Sequence, residues 1–571
     1  MSAFHFPKQL SRDHCELGLG AIWLTVLYAS LFYLTKPLNW GDTVVYAPQI
    51  VNVSRGIADP TQLWEFGHLL WRPLGELVWR AGRPFWSQQG RSSVLEVYAA
   101  LRFVNLVLGL VAIFAAYAII RRIALSTGVA VLLCSAFMGW NAFMNYFQTG
   151  TAYEPGLAMQ LAGLYFLLGD ANGRRSILRG CAGGAALALS VCLWFPFVLG
   201  VPAILLFVFC WNWGKWGVNR DRDHFRLRWI CCALGVCFLL GASSFAVGAR
   251  LGGVRSGDDL KRWVIDSRHG WHPTKTYLRV ATGLPRSLVD LGQDGLMVKR
   301  FVLHDPYAAI RAKDLVQVVE KLAVFYFIIG ILIWRIYRDQ EAKLIAIALA
   351  VNWTMLLYFA IFLFEPSTAE RYMPGFTTLL VGFAFVSRRD SRSRVASISL
   401  CALFMVVWVL NFRAYASPSE PNGKDPAVAR LEALKPVLSS RNLITLLSFQ
   451  DDISVFFSRF PFNRIRPEDA SYYYIADQST GDPRDWRNRF ADRVFLIWSR
   501  QGDVWVSKRL IAERPASEWG WAEGDDPNLR WREIPAFFRQ FVFDRDIGGH
   551  DGFSRLARTP SNEKSLKAGP G

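Results

Sequence analysis

Over the first 413 residues, apolar positions gather into windows of spanning length separated by short polar stretches. Windows near 18–36, 98–120, 126–147, 155–169, 178–193, 198–213, 229–249, 318–337, 343–364, 374–387 and 395–413 read as membrane helices. About 11 transmembrane helices follow, so the expected fold class is mainly α, a polytopic membrane helical bundle over 1–413. The run 178–213 carries Trp194-Phe195-Pro196-Phe197 at its middle. Proline and aromatics suit an interfacial turn there, which makes that run two passes. Two longer polar loops, 37–97 and 250–317, interrupt the series.

Beyond residue 413 the pattern changes. Residues 414–440 read as a linker with a short helix; Leu443–Phe449 and Arg493–Trp498 read as strands, and Gly502-Asp503 turns into Val504-Trp505-Val506. A small C-terminal α/β domain over 441–558 is expected, with 559–571 a disordered tail by composition.

Composition sharpens this. With 52% hydrophobic residues, 23 Trp and mean hydropathy +0.20 over 571 residues, the chain is too apolar for an ordinary soluble enzyme. The net charge is +18, but residues 1–413 hold 41 Lys+Arg against 24 Asp+Glu, while 414–571 hold 23 against 22. The excess belongs to the membrane part, where it orients helices; nucleic acid is not an expected partner. The nine cysteines, Cys15 to Cys401, all lie in or beside apolar segments, with no disulfide framework or zinc pair in their spacing.

The loop charges give a direction. With the N-terminus inside, the inner segments carry 19 Lys and Arg, whereas the short outer loops carry Arg371 alone. Lys8 and Arg12 precede the first apolar run, and no small-residue cleavage site follows it, so it reads as a retained helix. The N-terminus is therefore expected in the cytoplasm, with loops 37–97 and 250–317 and the C-terminal domain extracytoplasmic. An integral protein of a bacterial inner membrane, with membrane lipids as its surroundings, fits this arrangement.

Several charged residues stand at the outer ends of these spans. Asp42, in Asn39-Trp40-Gly41-Asp42-Thr43, follows the first apolar run, where a carboxylate is costly and usually has a task. It could also cap the helix that follows. Glu154, in a loop of about seven residues (Thr149-Gly150-Thr151-Ala152-Tyr153-Glu154-Pro155), either faces a partner or complements a helix dipole. Arg371 suits an anionic ligand such as a lipid phosphate, or pairs with Glu365 or Glu370. His68 and Arg72 are candidates for the same phosphate, or belong to an aromatic belt with Trp64, Trp71 and Trp79. Arg102 reads as a snorkelling cation. His269 and His272 are three apart, but Gly270 and Pro273 argue against a helix that would join them on a metal; His269 and Trp271 are assigned to substrate contacts instead.

The ordered set of these features resembles the GT-C class of integral membrane glycosyltransferases, which includes protein O-mannosyltransferases, aminoarabinose transferases and bacterial enzymes using polyprenyl-phosphate sugars. The acid opening the first outer loop, then Tyr and a Gly, is matched by Asp42, Tyr46 and Gly56; the His-Pro-rich segment by His68-Leu69-Leu70-Trp71-Arg72-Pro73-Leu74; the second-helix arginines by Arg102 and Arg121-Arg122; the second acid by Glu154; and the Arg-Tyr-x-x-Pro step by Arg371-Tyr372-Met373-Pro374. The likeness covers about 1–390. The chain departs from the mannosyltransferase pattern in having Asp42-Thr43 where two acids adjoin, which removes one candidate metal ligand.

The resemblance implies a glycosyltransferase taking a hexosyl or pentosyl unit from a polyprenyl-phosphate sugar donor to an extracytoplasmic glycan, lipid or protein acceptor. Asp42 and Glu154 would be catalytic, with Asp42 as general base; Tyr46, His68, Arg72, Arg371 and Tyr372 would bind substrate. Direct displacement would invert the anomeric centre. No cofactor is implied; a divalent cation such as magnesium would find only a thin site in two carboxylates. A transporter or lipid flippase, a membrane-anchored assembly factor and an O-antigen-ligase-like enzyme are the competing readings. Flippases favour charges within spans and related halves, whereas here the charges cluster at outer helix ends.

Overall fold

The computed structural model describes residues 7–35, 37, 42–54, 56, 58–86, 93–168, 174–214, 223–267, 278–291, 312–338, 342–362, 368–387, 394–416, 434–437, 439, 441–446, 471–474, 485–512, 534–548 and 552–567. The helical part comprises α1 (Pro7–Leu34), α2 (Thr43–Ser54), α3 (Trp71–Ala81), α4 (Arg83–Trp86), α5 (Ser93–Ala124), α6 (Thr127–Met138), α7 (Asn141–Tyr146), α8 (Tyr153–Leu167), α9 (Arg174–Leu193) and α10 (Val201–Gly214). It continues with α11 (Asp223–Leu251), α12 (Gly257–Asp266), α13 (Leu278–Leu288), α14 (Ala312–Arg338), α15 (Ala342–Phe362), α16 (Phe376–Val386) and α17 (Arg394–Ala416). Among the described residues, five of these helices are long and apolar enough to cross a membrane, and four shorter ones are apolar. Leu19, Phe238, Phe327 and Tyr337 stand more than half exposed on such helices, as lipid-facing positions do.

Local chemistry accounts for the boundaries. The last turn of α5 carries Arg121 and Arg122, which complement its dipole. Leu125 then turns left-handed at φ 57°, and Ser126 caps α6 by accepting from the Val129 amide. The expected single pass over 126–147 is instead two helices, broken at Gly139-Trp140. A Cβ on Gly139 would meet Trp408 Cδ1 at 2.2 Å, so glycine there lets α17 close on the break. The carbonyl exposed by the break is not orphaned: Asn411 Nδ2 donates to Gly139 O at 2.7 Å and to Leu288 O at 2.7 Å. The apolar window concealed the break because Trp140 and Phe143 are themselves fully buried core residues.

The interfacial turn expected near Trp194 is present as a 3-10 segment, Phe195–Leu199, between α9 and α10. Gly156 lets α8 approach it, since a Cβ there would meet Phe197 Cε2 at 2.3 Å.

The C-terminal domain is a five-stranded mixed sheet with α18 (Asp485–Ser499), α19 (Lys508–Ile511) and α20 (Pro560–Lys567). Its strands are β1 (Leu443–Leu446), β2 (Ser471–Tyr474), β3 (Val504–Ser507), β4 (Phe543–Ile547) and β5 (Phe553–Leu556), in the order β2-β1-β3-β5-β4. Strand β1 runs parallel to β2 and β3, and β5 is antiparallel to β3 and β4. Alternation divides the faces: Leu443, Val504 and Val506 pack with Phe490, Val494 and Trp498. Ile444, Leu446, Trp505 and Phe553 join Tyr415, Leu434 and the core of the helical part. Both faces are covered, which places the sheet against the end of α17.

Two expectations in this domain are corrected. Residues 493–498 are helical, because Phe490, Val494, Ile497 and Trp498 recur at helical spacing once the window is widened. The tail 559–571 is not disordered throughout. Helix α20 spans most of it, with Leu566 buried and Asn562 bonded through its side chain to Val542 and Ala557.

Candidate active site

Asp42 immediately precedes α2, whose first turn closes through the Tyr46 amide on the Asp42 carbonyl at 3.0 Å. Residues four apart share a helix face, so the Tyr46 phenol returns to Asp42 Oδ2 at 3.0 Å. A second phenol, Tyr153 at the start of α8, donates to the same oxygen at 2.7 Å. Thr43, fully buried, accepts from the Gly150 amide at 2.9 Å and pins α2 to the loop that delivers Tyr153. Burial first, then the negative charges of Asp42 and Glu65, hold the Tyr46 phenol well above its ordinary range. It therefore remains a donor at neutral pH.

A 3-10 turn at Phe66–His68 brings His68 Nε2 to 3.7 Å from Asp42 Oδ2 and Nδ1 to 3.6 Å from Glu65. The turn is held where it is by the Leu70 amide on Cys192 O at 3.0 Å and by Trp71 Nε1 on Gly150 O at 2.8 Å. Arg72 bonds Glu65 and, at 2.7 Å, Gln62 O, with its guanidinium 5.0 Å from the Tyr46 ring centroid. Glu65 thus stands on the Nδ1 side of His68 and Asp42 on its Nε2 side, with Arg72 bonded to Glu65.

On the other side, Tyr153 lies between two aromatic rings. Tyr146 meets it edge-on at 4.9 Å and Trp194 at 4.6 Å. Tyr146 donates to Glu370 Oε2 at 2.6 Å, and the Arg371 guanidinium stands 5.8 Å from the Trp194 ring centroid and 4.0 Å from Glu370. The Asp42 carboxylate and the Arg371 guanidinium thus flank the Tyr153–Trp194 pair. Exposure separates the members of the site: Asp42 is 25% open and Arg371 16%, while Glu65 stands at 10%, Glu370 at 7% and His68 and Arg72 at 5%. Asp42 and Arg371 are thus the most open of the six.

The expected site residues divide accordingly. Asp42, Tyr46, His68 and Arg371 come together. Glu154 does not join them. It is fully buried, with Asn105, Thr151 and Glu370 as its polar neighbours. Its neighbour Tyr153 faces Asp42 instead, because successive helical residues point about 100° apart. Arg72 is buried at 5% exposure and bonds Glu65 and the Gln62 carbonyl. Tyr372 is fully buried against Trp353. Arg102 lies over Phe32 at 4.7 Å. His269, Trp271 and Glu365 lie outside the described residues. Among the described residues, no group of three or more His, Cys, Asp or Glu side chains could hold a metal ion.

Tyr153, Tyr146, Glu65, Glu370 and Trp194 were not picked out as site residues from the chain. Two carried a usable signal: Glu65, an acid three residues before His68, and Glu370, the acid next to Arg371. The others needed contacts between residues 41 to 224 positions apart.

An apolar cavity of about 610 Å³ opens between α13, α14, α15 and α16, lined by Leu284, Phe325, Leu332, Leu349, Trp353 and Leu379 among others. One of its lining residues, Trp353, lies parallel to Tyr372, the neighbour of Arg371 in the chain, with ring centroids 6.5 Å apart.

No family model matches the chain, and no curated protein matches it by sequence. Among solved structures, it is similar to the Archaeoglobus fulgidus oligosaccharyltransferase in complex with Zn and sulfate, at 12% identity and TM-score 0.48 over 94% of this chain and 73% of that one. AglB from the same organism, in complex with an inhibitory peptide and a dolichol-phosphate, overlaps at 13% identity and TM-score 0.41, over 96% and 75%. ArnT from Cupriavidus metallidurans, bound to undecaprenyl phosphate, overlaps at 11% identity and TM-score 0.48, over 95% and 98%.

Proposed function

We propose that this chain is a membrane glycosyltransferase that moves a sugar from a polyprenyl-phosphate carrier to a hydroxyl-bearing or similar extracytoplasmic acceptor. The observation that carries the reading is one juxtaposition: a partly open carboxylate held by two phenols, a partly open guanidinium across the Tyr153–Trp194 pair, and an apolar cavity whose Trp353 stacks on the guanidinium's chain neighbour Tyr372. Transfer from a lipid phosphate needs a base for the acceptor proton, a cation for the departing phosphate and a place for the chain.

In this reading Asp42 takes the proton from the acceptor as its oxygen attacks the anomeric carbon. The bond from that carbon to the phosphate oxygen breaks, and the polyprenyl phosphate leaves with the electron pair. Arg371 balances the charge that develops on it. The attack inverts the anomeric centre. His68, Glu65 and Arg72 hold the wall behind Asp42. The excess of Lys and Arg in the loops read as inner favours an extracytoplasmic site.

The test is incubation of the purified protein and its Asp42→Asn variant with a panel of polyprenyl-phosphate sugars, following hydrolysis and transfer. Wild-type turnover that disappears in the variant, with donor binding retained, is the expected result. Equal activity in both proteins removes Asp42 from the mechanism.

A further inference from the structure

We infer that Tyr153 is the positioning residue for Asp42: its phenol fixes the direction of the carboxylate and sets the pH at which the carboxylate gains its proton. The inference rests on the reading of Asp42 as the base and goes further in naming what holds it.

Three observations carry it. The Tyr153 hydroxyl donates to Asp42 Oδ2 at 2.7 Å, closer than the Tyr46 hydroxyl at 3.0 Å. The Tyr153 ring cannot swing away, because Trp194 and Tyr146 bound it at 4.6 and 4.9 Å and its side chain is 2% exposed overall. Tyr146 is anchored in turn by its bond to Glu370 at 2.6 Å, so the clamp is braced from a different element of the fold.

The groups facing Asp42 come from every side of the site. Tyr46 approaches from its own helix and Tyr153 from α8. His68 stands at 3.7 Å from the 3-10 turn, with Glu65 on its Nδ1 side and Arg72 bonded to Glu65. Glu370 and Arg371 lie beyond Tyr146 and Trp194. A phenol donating to the carboxylate favours its charged form, so the clamp lowers its basicity somewhat. What it gains is direction, and misdirection of a reacting group costs on the order of a hundredfold in rate.

Tyr153→Phe keeps the ring stack and deletes only the hydroxyl. The expected result is a fall in kcat of about 10- to 100-fold, with KM for the donor within about twofold and the acid limb of the kcat/KM profile moved to higher pH. Tyr46→Phe moves the limb the same way, and it carries the test if Tyr153→Phe does not fold, as judged by loss of undecaprenyl phosphate binding. Tyr146→Phe deletes a hydroxyl from the brace but none from Asp42, so its acid limb moves less than that of Tyr153→Phe.

Wild-type kcat and acid limb in Tyr153→Phe, with Asp42→Asn inactive, overturns the positioning role and leaves the base intact. A limb that moves equally in Tyr146→Phe makes Tyr153 a packing residue and also overturns it. Full activity of Asp42→Asn instead overturns the base itself.

Discussion

Trp353 and Tyr372 lie nearly parallel, their ring planes 12° apart, and this stack joins the apolar cavity to the segment that carries Arg371. Trp353 lines the cavity from α15, and Gly375, three residues past Tyr372, sits where a Cβ would meet Trp353 Cζ2 at 2.5 Å. If the cavity holds a prenyl chain, Trp353→Ala enlarges it where the chain meets its phosphate. The expected outcome is a rise in KM of roughly 5- to 30-fold for long-chain donors, from about 1–2 kcal/mol of lost apolar contact. Little change in kcat should accompany it. Steady-state kinetics with donors of different prenyl length checks this, and a kcat loss at constant KM sinks it.

Arg371 supplies charge to a leaving phosphate in the proposed reaction, and its guanidinium also lies over Trp194. Arg371→Ala is expected to lower kcat/KM by about 10- to 100-fold, as loss of a charge-assisted bond does. Arg371→Lys should recover only part, since an ammonium keeps the charge but not the planar fork. Full activity in Arg371→Ala would remove it from the site.

Asn411 closes the break between α6 and α7. Its amide nitrogen serves the Gly139 and Leu288 carbonyls, and its oxygen accepts from the Asp290 amide at 2.7 Å. Asn411→Ala leaves these buried groups without their partner, at about 1–3 kcal/mol for each. A lower thermal midpoint for the whole protein in detergent is expected. A midpoint unchanged within error would show that the break does not depend on this residue.

The C-terminal sheet should lose local stability in acid. Arg555 holds the Asp544 carboxyl below its usual range through bonds at 2.8 and 2.9 Å, and Ser554 and then Lys508 do the same for Asp546. For a carboxylate whose folded value lies below its unfolded value, near about 3.9, the stabilisation is present above that pH. It is lost as pH falls through the depressed folded value. Both groups are substantially exposed, so the effect is modest and salt-sensitive. Hydrogen exchange in β4 and β5, followed downward from pH 5, should quicken; Arg555→Ala should flatten that dependence. Exchange independent of pH in the wild type, once corrected for intrinsic rates, would contradict it.

Of the fold, the chain showed most where periodicity is long. Spanning helices such as α5, α11 and α14 announce themselves by length and apolar content, and strands β1 and β3 by short apolar runs beside turns. It misled where the window was short or uniform: residues 493–498 look like a strand until Phe490 is included, and the break at Gly139 sits among apolar residues on both sides.

By itself, the sequence determined that this is a polytopic helical protein with a separate α/β end, and that Asp42 and Arg371 stand at helix ends instead of within spans. Those properties depend on composition and on residues near one another along the chain. Only the tertiary structure decided which groups meet: that Tyr153 donates to Asp42 while Glu154 is buried beside Asn105 and Thr151, that Arg72 bonds Glu65, and that Tyr372 packs against Trp353. The reason is angular. A rotation of about 100° between successive helical residues separates a side chain in the site from one in the bundle. The motif at Ala152-Tyr153-Glu154 reads the same until the packing of α8 against Trp194 and α2 sets that rotation.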